Sequence, residues 1–300
     1  MILLNDDELS ISFPEVHPDA VLHIDFQRTL RIPDDDRTYA LPPGLGRFPL
    51  RRVDDFATVP DAWKRRGGVM MPMYQCEALW IYFHSPTDYP FALKVATGTI
   101  NAITGKPWNE PLHRRPQDYV VIPKQPWLDG YCVEKGVIRQ FVAMPLGSGA
   151  TVEEQLTGEA EHGGLQFIVY PIRPEAYERM RAERLHTLHS LHSLADLCVA
   201  APAMGLAAGG RMRQQIYKDP YPFADWDTQH SHRCFVHIVN ATAWQPLTGE
   251  AAPHTPCTFE AYVRAGLPWF DYYNADLSVL DGSEVLRGVK SIGQVSQGAF

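Results

Sequence analysis

The sequence predicts an α+β fold: a β-rich body of mainly antiparallel strands covered by one long and several short helices. Three observations carry that prediction. Short runs rich in β-branched and aromatic residues recur through residues 1–172, bounded by Gly, Pro, Asn and Asp. The intervals between them, roughly 8 to 20 residues, lack helical periodicity, which favours antiparallel pairing over a doubly wound sheet. One long helical pattern then follows the strands instead of alternating with them.

The elements are justified in chain order. Residues 1–66 are rich in Pro and Asp, and turn chemistry in Pro33-Asp-Asp-Asp36 and Leu41-Pro-Pro-Gly-Leu-Gly46 separates short extended pieces such as Val21–Phe26. Strands are expected at Ala78–His84, Phe91–Ala96, Tyr119–Ile122 and Val137–Ala143, with breaks at Ser85-Pro86, Thr104-Gly105 and Asp129-Gly130. Thr151-Val-Glu-Glu154 matches a capping box and predicts a short helix ending near Gly158. Gly164–Ile172 reads as a buried strand.

The long helix is expected from Pro174, suited to a first turn, to about Ala200, with Pro202 as a stop. Its first half is charged, and its second carries Leu185, Leu188, Leu191 and Leu194. Gly205–Gly210 reads as a break before a short helix at Arg211–Tyr217, and Cys234–Asn240 as a strand. Thr255-Pro256 predicts the start of a helix ending at Gly266. The expected organisation is a β-rich region at 1–172, a helical segment at 173–217 and a mixed α/β region at 218–300 that completes the same globule.

Composition narrows the function classes. The chain has 300 residues, 45% hydrophobic and 21% charged, enough to bury a core without help from a metal or disulfides. Its net charge of −8 and the absence of a basic block argue against nucleic-acid binding, which needs clustered positive charge. The N-terminus is acidic where a signal peptide needs basic residues, and no apolar stretch is long enough to span a bilayer. Cys76, Cys132, Cys198, Cys234 and Cys257 form an odd set without CxxC spacing. A soluble protein of the reducing cytoplasm is the expectation.

The densest chemistry lies in His230-Ser-His-Arg-Cys-Phe-Val-His237. On an extended backbone, residues two apart stand about 7 Å from each other on one face, so His230, His232 and Cys234 would project together. Imidazole and thiolate suit a divalent transition metal, and Asp227 would add an oxygen ligand if the loop turned back. His186 and His189, three apart on the long helix, form a second imidazole pair. Gly205–Gly210 followed by Arg211 and Arg213 would present backbone N–H groups and two guanidiniums to an anion. Ser148 lacks the surroundings of a nucleophile elbow, and Cys76 lacks a basic neighbour.

No catalytic motif is complete, so the sequence favours a protein that binds a small molecule or another protein. The pairs Pro107-Trp108, Pro126-Trp127 and Pro268-Trp269 would line its cleft or an interface, including one between copies of the chain. The alternative is a metal-assisted enzyme, hydrolytic or oxygen-using, built on His230 and His232.

Overall fold

The structure is a computed structural model, and residues 1–35, 37–184, 203–271 and 274–297 are described. Its strands form one hydrogen-bonded ladder that folds back on itself. The first layer runs through Ile2–Asn5, Glu8–Ser12, Val21–Thr29, Ala78–His84, Val137–Pro145 and Met204–Arg213. The second runs through Val69–Met73, His232–Asn240, Leu165–Pro171, Phe91–Thr97 and Val120–Ile122. A single pairing, Met204 with Ile238, joins the two. Pairing is antiparallel except where Val69–Met73 meets His232–Asn240 and where Thr38–Tyr39 meets Met204–Arg213.

Alternation explains why the layers close on each other. Leu22, Ile24 and Phe26 point to one side of their strand, and Leu165, Phe167 and Val169 to one side of theirs; all are buried. Phe26 meets Phe167 at 6.2 Å between ring centroids, and Phe13 meets Phe91 at 6.0 Å. The Tyr131 hydroxyl, in the same interior, has Thr97 Oγ1 at 2.9 Å and donates to Leu206 O at 3.0 Å.

The β-rich body is therefore present, and the predicted strands fall at or near their expected positions. The capping box is real: Thr151 Oγ1 accepts from Glu154 N, Glu154 Oε2 accepts from Thr151 N, and Gly158 closes the helix Val152–Thr157 in the left-handed region. The late helix is shorter than expected, Phe259–Arg264, because Thr258 rather than Thr255 caps it.

Two helical expectations are corrected. The helix from Pro174 is observed over Pro174–Arg184, so one long helix is not matched among the described residues; residues 185–202, with the leucine stripe, His186 and His189, lie outside them. The Gly205–Gly210 break and the Arg211–Tyr217 helix are replaced by one strand, Met204–Arg213, which also divides the supposed helical segment 173–217. Packing requires these glycines. A Cβ on Gly209 would stand 2.5 Å from Val142 Cγ2, and one on Gly210 would stand 2.3 Å from Pro33 O. Local propensity reads glycine as a break, but close approach of neighbouring chain keeps it inside the sheet.

Candidate functional site

Strand Phe91–Thr97 turns Phe91, Leu93 and Val95 into the core, so Lys94, opposite Ile168, must point out of the second layer. The chain at 102–118 folds over it. Lys94 is only 1% exposed, and its ammonium donates to Asn109 Oδ1 at 2.9 Å and to Pro111 O at 2.5 Å, and lies 2.8 Å from Asp118 Oδ2. All three N–H bonds are thereby used. Burial lowers the pKa of Lys94, and the adjacent Asp118 opposes that shift. The Lys94 ammonium also sits 5.5 Å from the centre of the Trp108 ring, whose other cationic neighbour is Arg233 at 5.6 Å.

Asp118 holds a second group. Its Oδ1 accepts from His113 N at 2.9 Å, and its Oδ2 lies 2.9 Å from His113 Nδ1. The carboxylate thus grips residue 113 by backbone and ring together, and the imidazole, 51% exposed, has no partner on Nε2 among the described residues. A carboxylate that orients an imidazole in this way is an arrangement used for proton transfer and for ligand contact.

This cluster faces a cavity. A pocket of about 140 Å³ is lined by Lys94, His113, Asp118, Asn109, Lys106 and Arg115. Thr104, Lys106, Arg115 and Pro116 also line a cleft of about 920 Å³, so the two spaces adjoin. Lys218, Asp276 and Asp281 stand on the cleft's other walls. Arg114 ties the walls together by donating to Tyr221 O at 2.7 Å and Asp219 O at 3.1 Å. Beneath, Asp219 is fixed by the Tyr119 hydroxyl at 2.6 Å and by Trp226 Nε1 at 2.9 Å.

The residues singled out from sequence lie elsewhere. His230 precedes the strand, which begins at His232, so strand alternation does not align their rings. The loop does turn back: Asp227 accepts from Gln229 N at 2.9 Å and meets His230 Nδ1 at 2.8 Å. His232 instead stacks on Phe13 at 4.5 Å and contacts Met1 N. Burial, then the charge of that amino group, lowers its pKa. Cys234 is buried, and desolvation pushes its thiol up to about 12. Among the described residues, no group of three or more His, Cys, Asp or Glu side chains could hold a metal ion.

His237 faces the opposite side, as alternation requires, and stacks on Trp63 at 4.5 Å. Arg211 and Arg213 already have carboxylate partners. Arg211 forks onto Glu134 at 3.1 and 2.9 Å, and Arg213 onto Asp271 at 2.8 and 2.8 Å. No helix starts there, so the geometry that suggested an anion site is absent.

Sequence reasoning missed Lys94, His113 and Asp118. One signal was present, a lone lysine in the otherwise apolar run Phe91-Ala-Leu-Lys-Val-Ala96, where a buried charge demands partners. Comparison of the chain with models of known families, with curated proteins and with solved structures finds no match. The functional reading therefore rests on the geometry of the site.

Proposed function

We propose that this chain is a ligand-binding protein and that the adjoining cavities beside Lys94, His113 and Asp118 take a small polar organic molecule. The supporting observation is the space itself. A cleft of about 920 Å³ lies within the range that small-molecule sites occupy, and it continues into a deeper pocket floored by a buried ion pair and an oriented imidazole. Its walls are mixed, with Ile103, Leu277, Leu280 and Val285 beside Lys106, Arg115, Lys218 and Asp281, so recognition combines apolar contact with hydrogen bonds and charge.

The test is thermal denaturation of the protein in the presence of a chemically broad set of metabolites, repeated on Ser278→Trp. Ser278 lines the cleft and is exposed, so the indole fills space without disturbing the core. A bound compound raises Tm in the unaltered chain by mass action and fails to do so in the variant. If no compound shifts Tm, or if the variant responds equally, the cleft is not the binding site.

One contact favours the second reading, a metal-assisted enzyme at His230 and His232. Asp227 engages His230 Nδ1 at 2.8 Å, and a carboxylate behind an imidazole is the outer support that metal-bound histidines use. Metal analysis of protein purified without chelator, compared with His230→Ala, tests it: near-stoichiometric metal lost in the variant supports the enzyme, and none in either overturns it.

A further inference from the structure

The ligand-binding reading leaves open what the deeper pocket recognises, and its charges specify a class. Resting on that reading, we infer that the pocket bounded by Lys106, His113 and Arg115 receives a phosphoryl head group, while the rest of the ligand lies in the larger cleft.

The pocket's carboxylate cannot repel such a group. Asp118 is the one acidic residue in its lining, and both oxygens are engaged, Oδ1 by His113 N and Oδ2 by Lys94 and His113 Nδ1. The Lys94 ammonium neutralises that carboxylate and spends its own three N–H bonds on Asp118, Asn109 and Pro111. The buried pair is therefore neutral as a unit. What remains is positive.

Lys106 and Arg115 are exposed at the shared rim, and neither side chain meets a hydrogen-bonding or ionic partner among the described residues. This contrasts with Arg51, Arg211, Arg213 and Arg233, each of which is paired with a carboxylate. Both cations therefore keep their hydrogen-bonding capacity for a group that enters the pocket. His113 lines the same pocket, with its Nδ1 turned to Asp118.

Size agrees with charge. About 140 Å³ admits a head group of a few heavy atoms, not a fused ring system, whereas the adjoining cleft of about 920 Å³ has room for a metabolite body. A guanidinium, an ammonium and an imidazole lining one pocket match the chemistry of an oxyanion with several acceptor oxygens. The cleft beyond is mixed in sign, with Lys218, Asp276 and Asp281 in its lining beside Leu277, Leu280 and Val285, so the body of the ligand is not uniformly anionic and carries apolar surface.

The experiment is isothermal titration of the full chain with inorganic phosphate, glycerol 3-phosphate, glycerol and acetate. It is repeated on Arg115→Gln, on Lys106→Gln, and on Arg52→Gln as a control at an exposed position on another strand. Phosphate and glycerol 3-phosphate should bind, with affinity falling as salt rises. Each pocket variant should lose about tenfold or more, and the control should lose nothing.

Glycerol binding as well as its phosphate, or Arg115→Gln and Lys106→Gln both leaving affinity unchanged, would overturn the phosphoryl assignment. So would acetate binding more tightly than phosphate, which would mark a carboxylate pocket. If all four probes fail while another compound binds and Ser278→Trp abolishes it, the phosphoryl assignment falls and the ligand-binding reading stands.

Discussion

The molecule buries two ion pairs to nearly the same depth, yet it treats them differently. Arg28 and Glu77 face each other with side chains 2% and 0% exposed. Arg28 Nε donates to Glu77 Oε1 at 2.6 Å, Glu77 Oε2 accepts from Tyr74 N at 2.8 Å, and Arg28 also donates to His254 O at 3.1 Å. Protein groups take up both partners, although Glu77 also lines a cleft of about 390 Å³ beside Tyr74 and Cys76. Lys94 and Asp118, 1% and 8% exposed, are joined by a third group, His113, that stands half in solvent at the edge of a cavity. A pair bonded only to protein groups pins strands together. A pair with an exposed imidazole attached can communicate with a ligand.

The largest expected effect tests that contrast directly. Glu77→Ala strands a guanidinium where water does not reach, and should cost about 3–5 kcal/mol of unfolding free energy. Lys94→Ala should cost less, about 2–3 kcal/mol, because the Asp118 carboxylate it leaves behind keeps the backbone N–H and the ring of His113 as partners. Urea denaturation of both variants measures the difference. Equal losses would mean that the two pairs do the same structural job and that the opening at His113 has no energetic consequence.

Much of the scaffold was legible, for reasons visible in particular residues. Ala78–His84 and Val137–Ala143 are dense in β-branched and aromatic side chains, and Thr151 with Glu154 carries its own cap, so these segments follow from nearest-neighbour chemistry. Met204–Arg213 was not legible. Its glycines are there because Val142 and Pro33, remote in sequence, come too close for a Cβ. The site was hidden for the same reason: Lys94 and Asp118 are separated by 23 intervening residues and meet only after the chain at 102–118 folds back over its strand. His230 and His232 attracted notice because they are two residues apart, a weak guide once the strand is found to begin at His232.

A third buried carboxyl sharpens the comparison, for it has no cationic partner among the described residues. Asp129 is 2% exposed, its carboxyl is bonded by Gln214 Nε2 and by Trp127, and desolvation pushes its pKa up to about 7. A carboxyl whose folded pKa lies above its unfolded value holds its proton more tightly in the native chain. The stability it contributes is therefore full below about pH 4 and is lost as pH rises toward 7. Asp129→Asn removes the ionisation, so relative to the unaltered chain it should gain about 2 kcal/mol between pH 5 and pH 8. Thermal or urea unfolding at the two pH values reads this directly. A gap that stays constant with pH would show that Asp129 is ionised throughout and has a cationic partner after all.

The smallest effect on stability should come from His113, and that smallness separates a binding group from a structural one. His113→Ala gives up one ring contact to Asp118 at 2.9 Å but keeps the backbone N–H bond to the same carboxylate and leaves the Lys94 contacts untouched. Because the ring is half exposed, water can replace it at Asp118, and the expected loss is within about 0.5 kcal/mol. The same side chain should nevertheless report on the cavity. In proton–carbon NMR spectra, the imidazole signal that disappears in His113→Ala should shift when glycerol 3-phosphate is added, while the signal of the buried His237, stacked on Trp63, stays fixed. A large stability loss with no ligand-dependent shift would make His113 a brace for the chain at 102–118, and the two buried pairs would then differ in shape alone.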